Sequence, residues 1–280
     1  MTVGEDIISN SDFARLRSLI YAQSGIILTP DKKTMLELRI KRRLRNLKLD
    51  SFTVYCDYLF GAQGQKEEIV HLLDVVSTNK TDYFREPDHF DFLVKKAIPE
   101  LMARNDSGRE LLIWSAGCST GEEPYTLAMV LQEYGLSHSG FRFRILATDL
   151  SNTVLEKAER GVFDCEVVRP VPPDMLQKYF MRSRDRDSNV TRVVPELRRL
   201  IEFRRLNFMD SDFGLSQKAD VIFCRNVIIY FDRSTQEKIM QKLASQLVTG
   251  GYFFVGHSET LHDMDLPLTA IAPALYRKTG

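Results

Sequence analysis

Apolar positions in the N-terminal part of the chain recur at helical spacing. Phe13, Leu16, Leu19 and Ile20 share one side of a segment that Ser11 precedes and Gly25 is placed to end. Thr29-Pro30-Asp31 then supplies an N-cap, a proline at the first helical position and an acid in the first turn. Beyond it Leu36, Ile40, Leu44 and Leu47 form a single apolar stripe, while Arg39, Lys41, Arg42, Arg43, Arg45 and Lys48 occupy the other faces. Ser51 opens a further helix through Tyr55, Leu59 and Phe60, and Ile69, Leu72, Leu73 and Val76 mark one more. No strand is predicted before about Ser77.

After residue 108 the pattern changes. Apolar runs at Leu111–Ala116, Phe143–Asp149, Ala219–Asn226 and Tyr252–Gly256 alternate with helical patterns at Pro124–Tyr134, Asn152–Arg160 and Ser234–Leu247. Strands that are apolar throughout, separated by helices, predict a parallel sheet covered on both faces, a doubly wound α/β domain. Ligands of such sheets sit at the carboxyl ends of the strands. Between Gly161 and about Phe203 a turn-rich, charged stretch interrupts the alternation and reads as a small β insert.

At 280 residues the chain can bury one large core or two ordinary ones, so it needs no staples. Lys plus Arg equals Asp plus Glu, at 38 each, which removes net charge as an argument for a polyanion partner. Cys56, Cys118, Cys165 and Cys224 lie far apart, with neither zinc-ligand spacing nor a disulfide framework. The expectation is a reduced, cytoplasmic protein without a metal. The acidic N-terminus does not resemble a signal peptide, and no apolar run approaches the roughly 18 residues of a membrane span.

Candidate chemistry centres on Gly117-Cys118-Ser119-Thr120-Gly121, between the first strand and its helix. It fits the nucleophile-elbow pattern of a serine hydrolase, with His257 where a triad histidine would fall. Two features oppose that reading: no oxyanion segment lies upstream, and Glu122 and Glu123 set negative charge beside a serine that would have to generate an oxyanion. Glycines that let the backbone approach a ligand, followed by acids, suit a cationic or zwitterionic cofactor such as S-adenosylmethionine. The same acids would repel a dinucleotide pyrophosphate, and its G-x-G-x-x-G spacing is absent. Asp149, at the end of the second strand, stands where Rossmann-like domains hold ribose hydroxyls; the ordinary alternative is that Asp149 or Ser151 caps the next helix. Arg225, Asn226 and Tyr230 bring polar groups to the end of the third strand, although Tyr230 also fits a core position with its hydroxyl at the rim.

Asn79–Glu86 (NKTDYFRE), Ile113–Ala128 (IWSAGCSTGEEPYTLA), Ala147–Ser151 (ATDLS), Phe223–Asp232 (FCRNVIIYFD) and Gly256–Glu259 (GHSE), in this order behind a basic helical domain, resemble the chemotaxis receptor glutamate methyltransferases, the CheR family. The resemblance spans nearly the whole chain. It implies an all-α domain over residues 1–77, a linker and first helix over 78–108, and a Rossmann-like methyltransferase domain over 109–280 carrying a β subdomain at about 161–203. By the same resemblance Asn79, Thr81 and Arg85 contact the cofactor or the target carboxylate, Glu123 holds the methionine part of S-adenosylmethionine and Asp149 its ribose. Asn207 and Phe208 border the adenine, Arg225 and Asn226 line the pocket, and Tyr230 lies near the transferred methyl. Helix capping for Asn79 and Thr81, pairing with Glu86 or Asp88 for Arg85, and a loop role for Asn207 are the ordinary alternatives.

The implied reaction is methyl transfer to glutamate side chains on the helical cytoplasmic region of chemoreceptors, leaving S-adenosylhomocysteine. Arg39, Lys41, Arg42, Arg43 and Arg45 are candidates for docking those acidic helices. A solvated face, or nucleic acid bound by a methyltransferase of another kind, are the competing readings of that helix. In some family members the β subdomain docks a tail at the receptor C-terminus, and the sequence leaves that mode open here.

Overall fold

The computed structural model describes residues 7–104, 108–183, 185 and 187–279. Four helices, α1 (Asn10–Ser24), α2 (Lys33–Leu47), α3 (Phe52–Phe60) and α4 (Gly64–Val76), build an N-terminal unit. Their apolar stripes close on one core containing Leu16, Ile20, Leu36, Ile40, Leu44, Tyr55, Leu59 and Leu72. Ser9 rather than Ser11 caps α1, because Asp12 reciprocates: Ser9 Oγ accepts the Asp12 N–H at 3.0 Å and donates to the Asp12 carboxylate at 2.8 Å. Gly25 closes that helix in the left-handed conformation, at φ +73°. Thr29 precedes only a single 3₁₀ turn, Pro30–Lys32, that feeds α2.

The second unit opens with α5 (Pro87–Phe92) and α6 (Ile98–Ala103), joined through a π-type turn at Leu93–Ala97. That turn widens the helix just ahead of Pro99, which has no N–H to give. The strands are β1 (Leu111–Ala116), β2 (Phe143–Asp149), β3 (Val162–Asp164), β4 (Phe180–Arg182), β5 (Val190–Val193), β6 (Ile201–Arg205), β7 (Ala219–Phe223), β8 (Leu247–Phe254), β9 (Leu268–Ala272) and β10 (Leu275–Lys278). Interleaved with them run α7 (Glu122–Ser137), α8 (Asn152–Arg160), α9 (Pro173–Tyr179), α10 (Pro195–Arg198) and α11 (Arg233–Ser245). Seven strands form one sheet in the order β6-β2-β1-β7-β8-β10-β9. The pairs from β6 to β8 are parallel, and β10 is antiparallel to both of its neighbours. Every residue of β1 and of β7 is buried, as an apolar strand without alternation requires.

The insert forms a separate antiparallel sheet, β3-β5-β4. Its expected last stretch departs from this arrangement: Ile201–Arg205 joins the main sheet as the edge strand β6, in register with Ile145–Asp149 of β2. Ile145 N–H donates to the Leu200 carbonyl there at 2.8 Å, which satisfies an edge that would otherwise lie open. The strand order reverses between β1 and β7, whose neighbours lead away in opposite directions. The crevice therefore opens beyond Ala116 and Phe223, and the loops after β1, β2 and β7 enclose it.

The helical unit packs over the same end of the sheet. Tyr21 hydroxyl donates to Asp232 at 2.8 Å, Asn207 Nδ2 to the Gln23 carbonyl at 2.6 Å, and Ile27 N–H to the Tyr230 carbonyl at 3.0 Å. On the other side of the crevice Asp74 of α4 accepts from Asn152 N–H at 2.9 Å and from Thr153 Oγ at 3.0 Å, so one unit caps a helix of the other.

Candidate active site

A cleft of about 380 Å³ lies where the two units meet, within the range of small-molecule sites. Asn79, Thr81, Arg85, Glu123, Asp149, Asn207, Phe208, Arg225, Asn226 and Tyr230 all line it. Ile26, Leu28 and Val76 of the helical unit complete its wall.

Its floor is the loop after β1. Gly117 and Cys118 N–H groups both donate to the Thr148 carbonyl, at 2.8 and 2.9 Å, drawing the ends of β1 and β2 together. Gly117 has φ +89°, and a Cβ there would stand 2.6 Å from Val227, so only glycine fits. Ser119 adopts φ +49°; its N–H donates to Asp149 Oδ2 at 2.9 Å and its Oγ to the Asn79 carbonyl at 2.9 Å. The Ser119 hydroxyl thus fastens the linker to the floor. His257 Nε2 instead approaches Asp88 at 3.1 Å while Ser119 Oγ is given to the Asn79 carbonyl, so among the described residues the hydrolase constellation is not assembled.

Asp149 accepts from Ser119 N–H with one oxygen and from Ser151 N–H, at 3.0 Å, with the other. Burial nevertheless pushes its carboxyl above the ordinary range. Ser151 Oγ, not Asp149, caps α8. Glu123, at the start of α7, accepts from Ser115 Oγ at 2.7 Å and from Arg225 Nη1 at 3.2 Å, and burial likewise raises its carboxyl despite the nearby guanidinium. Two carboxyls whose negative charge burial disfavours suit a ligand that brings positive charge to compensate it.

Arg225 is the hub of this charge network. Its side chain is 2 % exposed, lies 5.4 Å from the centroid of the Phe90 ring, and bridges Glu123 to Glu86, whose Oε2 is 2.8 Å from Nη2. Arg225 also donates to the Arg85 carbonyl, which secures the linker backbone beside the cleft. Among the described residues Arg85 does not pair with Glu86 or Asp88; its guanidinium donates to the Lys80 carbonyl at 3.3 Å. Burial would raise Glu86, but Arg225 outweighs it and holds that carboxyl below the ordinary range. Glu86, His89 and His257 bring metal-ligating atoms within 4.8 Å of one another, yet Glu86 is already engaged by Arg225 and by the His257 N–H at 3.1 Å. Burial holds the His89 imidazole near pKa 4, hence neutral.

Asn207 turns its amide to Gln23, its carbonyl oxygen accepting Met209 N–H at 3.0 Å, while the Phe208 ring packs edge-on against Phe213. Tyr230 closes a 3₁₀ turn, Ile228–Tyr230, with Ile229 beside it half exposed to solvent. The sequence offers Glu86 only as a partner for Arg85 and gives Glu259 no role of its own. The latter lies in the GHSE stretch, and an acid directly beyond an apolar strand end is the signal that marks it.

The five candidate docking cations of α2 divide into two groups. Arg39 turns inward and donates to the carbonyls of Val75, Val76 and Ser77 at 3.0, 2.5 and 3.0 Å. Arg43 binds buried Glu68 through two bonds of 2.9 and 2.6 Å. Both leave the expected docking face because the C-terminal carbonyls of α4 and the buried Glu68 carboxylate demand cationic partners. Arg42 and Arg45 are exposed, and Lys41 is half-buried. Among the described residues no helix is long and apolar enough to cross a membrane.

A parallel sheet with a cleft at its switch point, acids at the ends of β2 and at the start of α7, and a small antiparallel sheet define a Rossmann-like nucleotide-cofactor domain under a helical roof. Residues 79–273 match the family model described as CheR methyltransferase, SAM binding domain, and residues 11–77 match CheR methyltransferase, all-alpha domain. The chain belongs to the CheR methyltransferase family and is an S-adenosylmethionine-dependent methyltransferase. It is 39% identical over 275 residues to the chemotaxis protein methyltransferase of Borreliella burgdorferi, covering 97% of this chain and 95% of that one. To the chemotaxis protein methyltransferase of Escherichia coli it is 36% identical over 271 residues, covering 96% and 91%. Among solved structures, magnesium protoporphyrin IX methyltransferase from Synechocystis with bound S-adenosylmethionine aligns at 14% identity and a TM-score of 0.35, over 80% of this chain and 93% of that one.

Proposed function

We propose that the protein transfers a methyl group from S-adenosylmethionine to glutamate side chains on the helical cytoplasmic region of chemoreceptors, forming glutamate methyl esters. What carries the proposal is the convergence of all ten candidate residues, drawn from the linker and from the loops after β1, β2, β6 and β7, on one cleft. Bound there, the cofactor would supply a methyl group on a sulfonium centre. Asp149 would hold its ribose hydroxyls and Glu123 its methionine part, with Asn207 and Phe208 beside the base. No metal enters this reading.

A glutamate carboxylate, with a pKa of about 4.3, is ionised at neutral pH and needs no general base. The protein's work is orientation and exclusion of water. Arg85, which lines the cleft and among the described residues has no ion pair with a carboxylate, would pair the incoming carboxylate, and the Tyr230 hydroxyl would direct one of its oxygens. Lys41, Arg42 and Arg45 would steer the acidic receptor helices to the rim.

The direct test incubates the protein with methyl-labelled S-adenosylmethionine and receptor cytoplasmic fragments, with and without their C-terminal tails. Base-labile label that disappears when the target glutamates are changed to glutamine is the expected result. Label that is stable to base, or no binding of S-adenosylhomocysteine by calorimetry, would overturn the proposal. Dependence of the label on the tail would mark the small β3-β5-β4 sheet as a second docking element.

A further inference from the structure

We infer that Glu259 is a positioning residue for cofactor binding: its carboxylate fixes the backbone of residues 225–228 and thereby aims Arg225 and Asn226 at the cleft. The inference rests on the cleft being the cofactor site. Glu259 does not line the cleft and is 6% exposed. Its Oε2 accepts the N–H groups of Gly256 and Asn226, each at 2.7 Å, and its Oε1 accepts that of Ile228 at 2.9 Å. A carboxylate is acceptor-only, so a single side chain can take N–H groups converging from a strand end, a loop and a 3₁₀ turn.

Those N–H groups belong to the segment that most needs fixing. Asn226 sits at φ +58°, a conformation non-glycine residues adopt only when their surroundings impose it. One residue before it, Arg225 turns inward to Glu86 and Glu123; four residues after it, Tyr230 faces the cleft. The other end of the clamp is equally tight, since a Cβ on Gly256 would stand 2.4 Å from Asn226 Nδ2. Glu86 accepts the His257 N–H at 3.1 Å, so the turn Gly256–Glu259 is held at both ends by the arginine-bearing segments it supports. Burial raises the Glu259 carboxyl while the converging N–H groups oppose that rise.

The test compares wild-type protein with Glu259→Gln, which keeps the shape but turns one of the two accepting atoms into a donor facing N–H groups. Affinity for S-adenosylhomocysteine is measured by calorimetry well below the melting temperature, alongside Asp149→Ala and Leu131→Ala. Leu131 is a buried core residue that does not line the cleft. Glu259→Gln is expected to bind on the order of tenfold more weakly while its far-ultraviolet circular dichroism is unchanged. Leu131→Ala is expected to lose thermal stability at unchanged affinity, which separates positioning from general destabilisation. Wild-type affinity in Glu259→Gln, with loss in Asp149→Ala, would overturn the inference alone; no binding by the wild type would overturn the cofactor-site reading beneath it. Should Glu259→Gln fail to fold, amide hydrogen exchange of the wild type decides. Slow exchange at Asn226 and Ile228, comparable to β7, is expected, and exchange at open-loop rates would overturn the inference.

Discussion

Asp149 and Glu123 owe their raised pKa values first to burial, so both take up protons at a higher pH than ordinary carboxylates. A protonated carboxyl no longer compensates a cationic ligand. Affinity for S-adenosylmethionine is therefore expected to decline as pH falls from neutrality, beginning above the usual range near 4. Calorimetry across that interval checks the sign, and an affinity that rises on acidification would contradict it. Tyr230 acts in the proposal on the target rather than on the cofactor. Tyr230→Phe is expected to lower kcat for receptor methylation by roughly tenfold to a hundredfold while changing S-adenosylhomocysteine affinity less than about twofold. Equal losses in both would mean that the hydroxyl serves the cofactor. At this scale the sequence was readable wherever a residue lies in a contiguous motif, as Glu123, Asp149 and Tyr230 do. It was unreadable where a partner comes from far along the chain. Glu86 and Arg225 meet across 139 positions, and no local pattern announces that pair.

Among the elements, the helices and strands followed their periods because burial decides them, as in the unbroken apolar face of β1 and the Leu36, Ile40, Leu44 stripe of α2. The boundary that departed from expectation, at β6, depends on which edge is available for pairing, and β2 offered one that apolar pattern does not encode. Helix α2 illustrates the same limit. Its pattern separates the stripe from the charged faces but cannot tell which cations are claimed internally, since Glu68 and the last carbonyls of α4 lie on another helix. Reversing Lys41, Arg42 and Arg45 to glutamate is expected to raise the KM for receptor fragments by tenfold or more at low salt, and less at high salt, with cofactor affinity unchanged. A salt-independent KM would remove this helix from the docking surface.

For the molecule as a whole, the contacts of Asp74 with α8, of Tyr21 with Asp232 and of Asn207 with Gln23 bind the helical unit to the catalytic one around the cleft. Asp74→Ala removes acceptors at a helix start and is expected to cost about 1 kcal/mol in urea unfolding, while the transition remains single. Separate transitions for the two units would show that the joint is weaker than its geometry implies. The linker that follows α4 is the feature with the longest reach. Arg39 holds the carbonyls of residues 75–77, Ser119 holds that of Asn79, and Arg225 holds that of Arg85. The two units are consequently poor modules for exchange. A chimera that borrowed the helical unit of a relative to change receptor preference would also replace one wall of the cleft, and descent with altered partners must retain the grip of Arg39 while the exposed cations of the same helix vary.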